Sequence, residues 1–248
     1  MRRDHSKIPE ERRIGLARAL SKAGLCSRSA ASSLIVDGRV QLNGVTIRDP
    51  EAPTTVHSHI TVDDEPIRSR VPVYIMLNKP HGVVTTAADE RGRETVYSCF
   101  KDSGLPWIAP VGRLDQASEG LLLFSNDPEW SSAIVDPVRH VPKTYHAQIE
   151  GLPTPETLLK LCQGVLMRDG AMLRVDSATL LRHGARNAWL EVVLAEGKNR
   201  HLRRLLEAVD HPVVRLIRIA IGSLQLGELA KGHWRHLRAE EHAHLAQG

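Results

Sequence analysis

The chain has 248 residues, of which 42% are hydrophobic, so it is long enough for one large domain or two smaller ones with real cores. This composition excludes a chain that is disordered throughout. The two Phe, three Tyr and four Trp disfavour a surface that binds single-stranded bases mainly on rows of aromatic rings.

The sequence lacks signals for a membrane or secreted protein. No apolar run approaches the roughly 18 residues that a transmembrane helix needs, and the charged segment Met1–Arg13 leads into no secretory apolar stretch. Cys26, Cys99 and Cys162 lie far apart and match neither a disulfide framework nor a zinc pattern. We therefore predict a cytoplasmic protein in a reducing compartment.

The basic residues are unevenly distributed along the chain. The whole chain has 33 Lys and Arg against 29 Asp and Glu, a formal net charge of +4. Residues 1–28 contain eight basic and three acidic side chains, and residues 198–218 contain six basic and two acidic ones. Two separated basic clusters suggest two contacts with one polyanion, although solvated helix faces are the plain alternative.

The first part of the chain is typical of a small helical module with a hairpin. The predicted elements are helices over Arg12–Ala23 and Arg28–Val36 and strands over Arg39–Leu42 and near His59–Val62. Ser27 is placed to cap the second helix, and Asn43-Gly44 is a strong hairpin turn. The helices carry a basic face, which suits contact with the phosphates of a shaped RNA.

Beyond a predicted linker at Arg68–Pro72, strands and helices alternate without a regular βαβ rhythm. Strands are predicted over Val73–Asn78, Gly120–Ser125, Thr144–Glu150, Leu173–Leu181, Ala188–Ala195 and Val213–Ile221. Helices are predicted over Pro155–Gln163, capped by Thr154, and over Arg200–Ala208. The fold class that follows is α+β with a largely antiparallel sheet.

The common short catalytic motifs are absent from the sequence. It has no phosphate-binding GxxxxGK[ST] loop, no GxGxxG and no GxSxG. His57 and His59, like His242 and His244, lack a third ligand at useful spacing, so we predict no metal site. Asp115, by contrast, lies just before an apolar strand and two residues after Arg113, which an extended segment directs to the same side. A carboxylate held among guanidinium groups can act as nucleophile or general base, or it can form a structural ion pair.

Residues 112–127, GRLDQASEGLLLFSND, resemble the signature of RNA pseudouridine synthases, in the branch that acts on ribosomal RNA and has an N-terminal S4 domain. Further segments in the same order are similar to that family: NKPHG at 78–82, KTY at 143–145, EGKNRHLRR at 196–204 and LIR at 216–218. The first module, with Ser27-Arg28, Gly38-Arg39-Val40 and Asn43-Gly44, resembles the S4 fold. The resemblance covers about residues 12–240.

The resemblance implies domains and a reaction. The domains are a basic N-terminus at 1–11, an S4-like RNA-binding domain at 12–70, a pseudouridine synthase catalytic domain with a largely antiparallel mixed sheet at 71–240, and a C-terminal tail at 241–248. A uridine in RNA is flipped into the site, its glycosidic bond breaks, the uracil rotates, and C5 joins C1′. The family uses no cofactor and no metal.

The resemblance also implies roles for individual residues. Asp115 matches the catalytic aspartate, which either attacks the sugar or removes its proton. Tyr145 matches the tyrosine that stacks on the flipped base, and Arg203 matches the basic partner of the aspartate. Arg113 is expected to grip the RNA backbone or help flip the base, and its alternative role is a salt bridge within the protein. The other expected RNA contacts are Lys198, Asn199, Arg200, Arg204, Arg18, Arg28 and Arg39. For Lys79, which lies at the end of a predicted strand, both a structural role and an RNA contact are open.

The function expected from these matches is isomerisation of a uridine in ribosomal RNA, with large-subunit RNA favoured by the segments at 79–93 and 164–176. The expected partner is ribosomal RNA or a ribosomal assembly intermediate, without a membrane and with the protein as a monomer. The alternative is a non-catalytic RNA-binding or ribosome-assembly protein with the same fold. An aspartate kept among arginines argues against that alternative, because binding alone does not need it.

Overall fold

The computed structural model describes residues 13–55, 57–67, 71–195 and 200–247. The chain divides into two compact units. The first comprises the residues up to Val71 together with Pro106–Ile108, and the second comprises Pro72–Leu105 and the chain from Ala109 onward. The sequence did not indicate that Pro106–Ile108 would group with the first unit.

The first unit packs two short helices against small strands. Its elements are β1 (Ile14–Gly15), α1 (Leu16–Lys22), α2 (Arg28–Val36), β2 (Val40–Leu42), β3 (Val45–Ile47), β4 (Pro53–Thr54), β5 (Ile60–Val62) and β6 (Glu65–Pro66). Strands β3, β2, β5 and β6 form one antiparallel sheet, and β1 pairs with β4. Leu16, Leu20, Ile35 and Val40 are fully buried between these elements.

Local signals placed most of this unit correctly, with one correction. The Ser27 side chain accepts a hydrogen bond from the Ala30 amide and begins α2 at the predicted residue. Helix α1, however, begins at Leu16 and not at Arg12, which lies outside the described residues. Gly15 has an extended backbone and its strand pairs with β4, so the chain enters the helix later than the apolar spacing suggested.

The second unit is built on one mixed sheet. Its strands are β7 (Tyr74–Lys79), β8 (Ala109–Val111), β9 (Ser118–Ser125), β10 (Lys143–Glu150), β11 (Val165–Leu166), β12 (Met172–Leu173), β13 (Ser177–His183), β14 (Asn187–Leu194), β15 (Val213–Ile221), β16 (Leu224–Gln225) and β17 (Trp234–His236). Its helices are α3 (Pro128–Val135), α4 (Pro155–Gln163), α5 (His201–Glu207) and α6 (Ala239–Gln247), with 3-10 turns at Val96–Phe100 and Pro137–Arg139.

In the middle of the sheet, strands from distant parts of the chain lie side by side. Along the sheet the order is β13, β14, β10, β15, β9, β7 and β17, while β8 pairs with β9 and β16 with β15. Among the described strands of this sheet, only β9 and β15 run parallel, which confirms the largely antiparallel mixed sheet. Strand β15 therefore separates the strand of Tyr145 from the strand that follows Asp115.

Strand β9 is an interior strand of the sheet, between β15 and β7, and all eight of its residues are buried. Gly120 lies in it at φ +100°, directly opposite Arg218 of β15. A Cβ atom at Gly120 would lie 2.2 Å from the carbonyl oxygen of Arg218, closer than any real contact. The parallel pairing of β9 with β15 therefore requires glycine at this position.

Three features of the second unit differ from what the sequence predicted. Asp127 caps α3 by accepting hydrogen bonds from the amides of Glu129 and Trp130, with proline at the first helical position. The predicted strand over 173–181 is instead two strands, β12 and β13. The predicted tail from 241 belongs to α6, which packs Leu245 into the core. Across the described residues, no helix combines the length and apolarity that crossing a membrane requires.

Candidate active site

The loop that carries Asp115 joins β8 to β9 and is held by hydrogen bonds to its backbone. The Thr85 hydroxyl donates to the Leu114 carbonyl at 2.7 Å. The Gly82 amide donates to the Gln116 carbonyl at 2.9 Å, and the Gln116 side-chain amide donates back to the Gly82 carbonyl at 2.9 Å. With its backbone fixed on both sides, the loop presents Asp115 in a defined position.

Lys79 supports the same loop from inside the protein. Its side chain is completely buried, and its Nζ donates to the carbonyl oxygens of Ser118 at 2.7 Å and Gln116 at 3.4 Å. Burial lowers the pKa of Lys79 to about 8, against the opposing effects of the Glu119 and Asp115 carboxylates. These contacts favour a structural role for Lys79 over an RNA contact.

Glu119 is a second acidic residue, four positions after Asp115, but its carboxylate is already paired with cations of the protein. Its side chain is buried and accepts hydrogen bonds from Arg215 Nε at 2.7 Å and Nη2 at 3.0 Å, and it pairs with Lys231. Hydrogen bonding from Arg215 is the main reason that the pKa of Glu119 is lowered to about 2. Asp115 is exposed, and its carboxylate has no hydrogen bond or ion pair with a described side chain. Of these two acids, Asp115 is the one available for chemistry.

Asp115 borders a cleft of about 680 Å³. Two apolar clusters of the unit contribute to the cleft lining. One contributes Leu202 and Leu216, and the other contributes Ile134 and Ile221. Its polar and charged lining residues are Arg113, Asp115, Ser118, His140, Lys143, Tyr145, Arg200, His201, Arg203 and Arg218. The structure thus brings together the three residues expected to be catalytic, Asp115, Tyr145 and Arg203.

The charge of this cleft is strongly positive. Its described lining includes five Lys or Arg side chains and one acidic side chain, Asp115. An excess of cations in a concave site raises the local concentration of anions and neutralises phosphate groups. The cleft therefore suits a polyanion that brings one neutral group up to Asp115.

Tyr145 reaches the cleft from β10. It is half-buried against the apolar cluster that includes Leu202 and Leu216, and in the sheet it lies opposite Val192 on one side and Arg218 on the other. No described residue forms a hydrogen bond with its hydroxyl. A tyrosine that packs against an apolar cluster and also lines a cleft offers an aromatic surface on which a nucleobase can stack.

Arg203 reaches the cleft from α5 and also contacts the Asp115 loop. Its Nη2 donates to the carbonyl of Ala117 at 2.8 Å. Burial lowers the pKa of Arg203, the nearby charge of Arg200 lowers it further, and the Asp115 carboxylate opposes both. Arg203 is therefore electrostatically coupled to Asp115, although no direct ion pair joins them among the described residues.

Arg113 lies between the main cleft and a smaller one. The second cleft, of about 430 Å³, is lined by Thr85, Asp89, Arg91, Arg93, Arg113 and Asp115, among others. Arg113 is exposed, and no described residue forms an ion pair or hydrogen bond with its side chain. The structural alternative, in which Arg113 forms a salt bridge within the protein, therefore finds no partner in the described part of the chain.

Two cationic residues of the cleft were not selected as site residues from the sequence. Lys143 and Arg218 both line the cleft, on the neighbouring strands β10 and β15. The sequence offered a reason to select both, because each belongs to a segment similar to the family, KTY and LIR. Nothing in the sequence alone showed that these segments would be adjacent in the sheet.

The remaining residues expected to contact RNA in this unit have different positions. Arg200 is exposed and lines the cleft, with its backbone in the left-handed region at φ +49°. Arg204 is not in the cleft and forms an ion pair with Asp169. Lys198 and Asn199 lie outside the described residues.

The three basic residues selected in the first unit also differ from one another. Arg18 is exposed on α1, without an ion pair among the described residues. Arg28 pairs with Glu51 at 3.4 Å, and Arg39 donates to Asp63 from Nε at 2.8 Å and from Nη2. Hydrogen bonding from Arg39 lowers the pKa of Asp63. Arg18 is thus the basic side chain of the three that is free to meet a phosphate without first breaking an ion pair.

Metal ligation has no arrangement to support it in the part of the chain that the structure covers. There, no three His, Cys, Asp or Glu side chains are grouped so that they could hold a metal ion.

Comparison with known proteins agrees with both units. A family described as RNA pseudouridylate synthase matches residues 73–208, and the S4 domain matches residues 14–54. An RNA pseudouridine synthase of Aquifex aeolicus is 37% identical, over 94% of this chain and 93% of the relative. Ribosomal large subunit pseudouridine synthase B of Bacillus subtilis is 34% identical, over 91% of this chain and 93% of the relative.

A solved structure agrees as well. A pseudouridylate synthase crystal structure superposes with a TM-score of 0.66 at 28% identity, covering 94% of this chain and 99% of that one. The family match at residues 73–208 includes the segment from β7 to α5, which carries Asp115, Tyr145 and Arg203. The chain belongs to the RNA pseudouridine synthase family and is an isomerase with an N-terminal S4 domain.

Proposed function

We propose that this enzyme converts a uridine of large-subunit ribosomal RNA to pseudouridine, with Asp115 as the residue that acts on the sugar. The observation that carries the proposal is the composition of the cleft, in which the one acidic side chain of the described lining lies among five cations and shares the space with Tyr145. The printed name of the Bacillus subtilis relative supports the large subunit as the source of the RNA.

The cations of the cleft prepare the substrate. Arg113 and Arg200 are exposed at the cleft and neutralise phosphates next to the target nucleotide. Extruding a uridine from its stack costs a few kcal/mol, and stacking on Tyr145 replaces part of what is lost. The base is then held with its sugar at Asp115.

The reaction itself needs one carboxylate in a fixed place. Asp115 either attacks C1′ or removes a proton from the sugar, and in both cases the bond from C1′ to N1 breaks. The freed uracil rotates and C5 bonds to C1′. At this point the bond from Asp115 to C1′ breaks, or the sugar regains its proton from Asp115, and the hydrogen on C5 leaves as a proton. Arg203 is coupled to the Asp115 carboxylate and ties down its loop through Ala117, so it positions the acid throughout.

The first unit supplies affinity in this proposal. A basic helical face without base-edge contacts holds RNA with little sequence preference. The catalytic unit then selects the uridine by what fits its cleft. The substrate is ribosomal RNA, either free or in an assembly intermediate, and the enzyme acts as a monomer.

Tritium release tests the proposal directly. Unmodified ribosomal RNA labelled with tritium at uridine C5 is incubated with enzyme, separately for the RNA of each subunit, because forming the bond from C5 to C1′ releases the label. We expect release from large-subunit RNA with the wild type, none with Asp115→Asn, and RNA affinity unchanged within about threefold, since the phosphate contacts lie elsewhere.

The matched control is Asp176→Asn, an exposed acid outside the described cleft lining, which keeps full release. Full activity of Asp115→Asn would refute its assignment. Release from small-subunit RNA alone would refute the choice of substrate, and binding without release from naked RNA or assembly intermediates would refute the reaction.

A further inference from the structure

Lys143 and Arg218 form a pair of cations inside the cleft without an acidic partner. Both line it, from the adjacent strands β10 and β15. No described carboxylate forms an ion pair with either one. Two positive charges placed together in a partly buried site repel one another, so the arrangement is costly until a negative group arrives.

Arg218 is the more deeply buried of the two. Only 6% of the residue is exposed, and its Nε donates to the carbonyl of Leu121 at 2.7 Å. Its Nη2 is buried and has no hydrogen-bond partner among the described residues. A buried donor left unpaired is unfavourable, and an acceptor supplied by a ligand in the cleft would satisfy it.

Lys143 is similarly short of acceptors. Its Nζ makes one long contact, 3.5 Å to the carbonyl of Ala195. Burial lowers the pKa of Lys143, and the charge of Arg218 lowers it further. The ammonium group therefore has two donors to spare and faces the cleft beside a second cation.

The register of the sheet relates this pair to the stacking residue. Tyr145 lies opposite Arg218, and Lys143 lies two residues before Tyr145 on the same strand, so all three share the cleft face. A base stacked on Tyr145 therefore has its edge within reach of both cations.

We propose that Lys143 and Arg218 donate hydrogen bonds to the carbonyl oxygens of the flipped uracil and stabilise the negative charge that the ring carries once its glycosidic bond breaks. When the bond from C1′ to N1 breaks, its electron pair stays on the ring and spreads over N1, O2 and O4. The ring then uses this electron density to bond C5 to C1′, and the C5 proton leaves to solvent. Donors aimed at such a developing charge act as an oxyanion hole does.

This inference rests on the proposed function and adds two catalytic residues to it. A different role, contact with an RNA phosphate, would use the same positive charge. The two roles separate in the measurements, because a phosphate contact changes affinity and its salt dependence, whereas stabilising the broken-bond state changes the rate at saturation.

The test measures single-turnover tritium release at saturating enzyme, together with the Kd for RNA at two salt concentrations. For Lys143→Met we expect the rate to fall about 100-fold, as for loss of one oxyanion donor, with Kd unchanged within about twofold. Lys143→Arg keeps a charged donor and restores the rate to within about tenfold of wild type. Arg218→Lys, which shortens the donor but keeps the charge, loses about tenfold in rate.

The matched control is Lys160→Met, an exposed lysine of α4 outside the described cleft lining, which leaves rate and Kd unchanged. A raised Kd with an unchanged saturating rate would show a phosphate contact and overturn the proposal. Wild-type rates in both Lys143→Met and Arg218→Lys would also overturn it. If Lys143→Met fails to fold, Arg218→Lys and Lys143→Arg decide the question by the same two quantities. Absence of release with the wild type would instead refute the proposed function.

Discussion

The buried ammonium group of Lys79 donates a 2.7 Å hydrogen bond to the carbonyl oxygen of Ser118, three residues after the exposed Asp115. The two residues belong to adjacent strands, and the bond fixes the point at which the Asp115 loop enters β9. A cation is thus placed under the loop and contacts its backbone, leaving the Asp115 carboxylate free of a side-chain partner.

Replacing Lys79 with Met tests this support. The substitution keeps the apolar stem and removes the donor, so the Ser118 and Gln116 carbonyls lose a partner, which costs about 1–3 kcal/mol of unfolding free energy. We expect the rate of tritium release to fall more than tenfold while RNA affinity stays near wild type. Urea unfolding and the release assay measure the two effects, and Lys101→Met, at an exposed lysine, should change neither.

The pH dependence of stability provides a second readout of Lys79. Its pKa is about 8 in the folded protein against an ordinary value of 10.5, so between these values the unfolded chain binds more protons and stability rises with pH. Between pH 7 and 9.5 this contribution amounts to about 2 kcal/mol. Urea unfolding of wild type and Lys79→Met at both pH values should show the increment in the wild type alone; equal slopes would contradict a buried, charged Lys79.

Gly120→Ala tests the close approach of β9 and β15. The new Cβ would lie 2.2 Å from the Arg218 carbonyl, so the strands must separate, and we expect a loss of roughly 3 kcal/mol or more together with loss of activity. Gly82→Ala is the matched control, because Gly82 has a similar positive φ of +93° but open space around its missing side chain. Equal destabilisation of the two variants in urea would mean that backbone strain, and not the clash, determines the cost.

Arg113→Ala tests whether an exposed arginine without a described partner serves the RNA. Its removal should change the unfolding free energy by less than about 0.5 kcal/mol. RNA binding should weaken, and the slope of log Kd against log salt should fall by roughly 0.7–0.9, the loss of one phosphate contact. Arg168→Ala, at an exposed arginine outside both clefts, is the control. An unchanged salt slope would exclude a phosphate contact for Arg113.

Local signals in the sequence predicted those elements whose ends are fixed by neighbouring residues. Ser27 and Thr154 cap their helices through their own side chains, and Asn43 and Gly44 both adopt the positive φ of a hairpin turn. Asp127 before Pro128 is an equally strong signal, but α3, the helix that it caps, was not among the predicted helices. Such features depend on a few consecutive residues and can be derived without the tertiary fold.

The parts that sequence reasoning missed depend on pairings between distant segments. Strand β17 is three residues long and is defined by pairing with β7, about 160 positions earlier. Likewise, Lys143 and Arg218 become one feature only because β10 pairs with β15. Residue type alone also could not show that Arg204 pairs with Asp169 whereas Arg200 lines the cleft. The individual motifs were visible, but their mutual geometry comes from strand order.

The position of β15 between β10 and β9 has a consequence for synthesis of the protein. The Asp115 loop and Tyr145 are synthesised well before β15, the strand that lies between β10 and β9 and ends only at Ile221. Domains generally fold as units, N-terminal first, as the chain emerges. The first unit can therefore be folded and basic while the cleft still lacks its middle strand, so a nascent chain would acquire RNA affinity before catalytic competence.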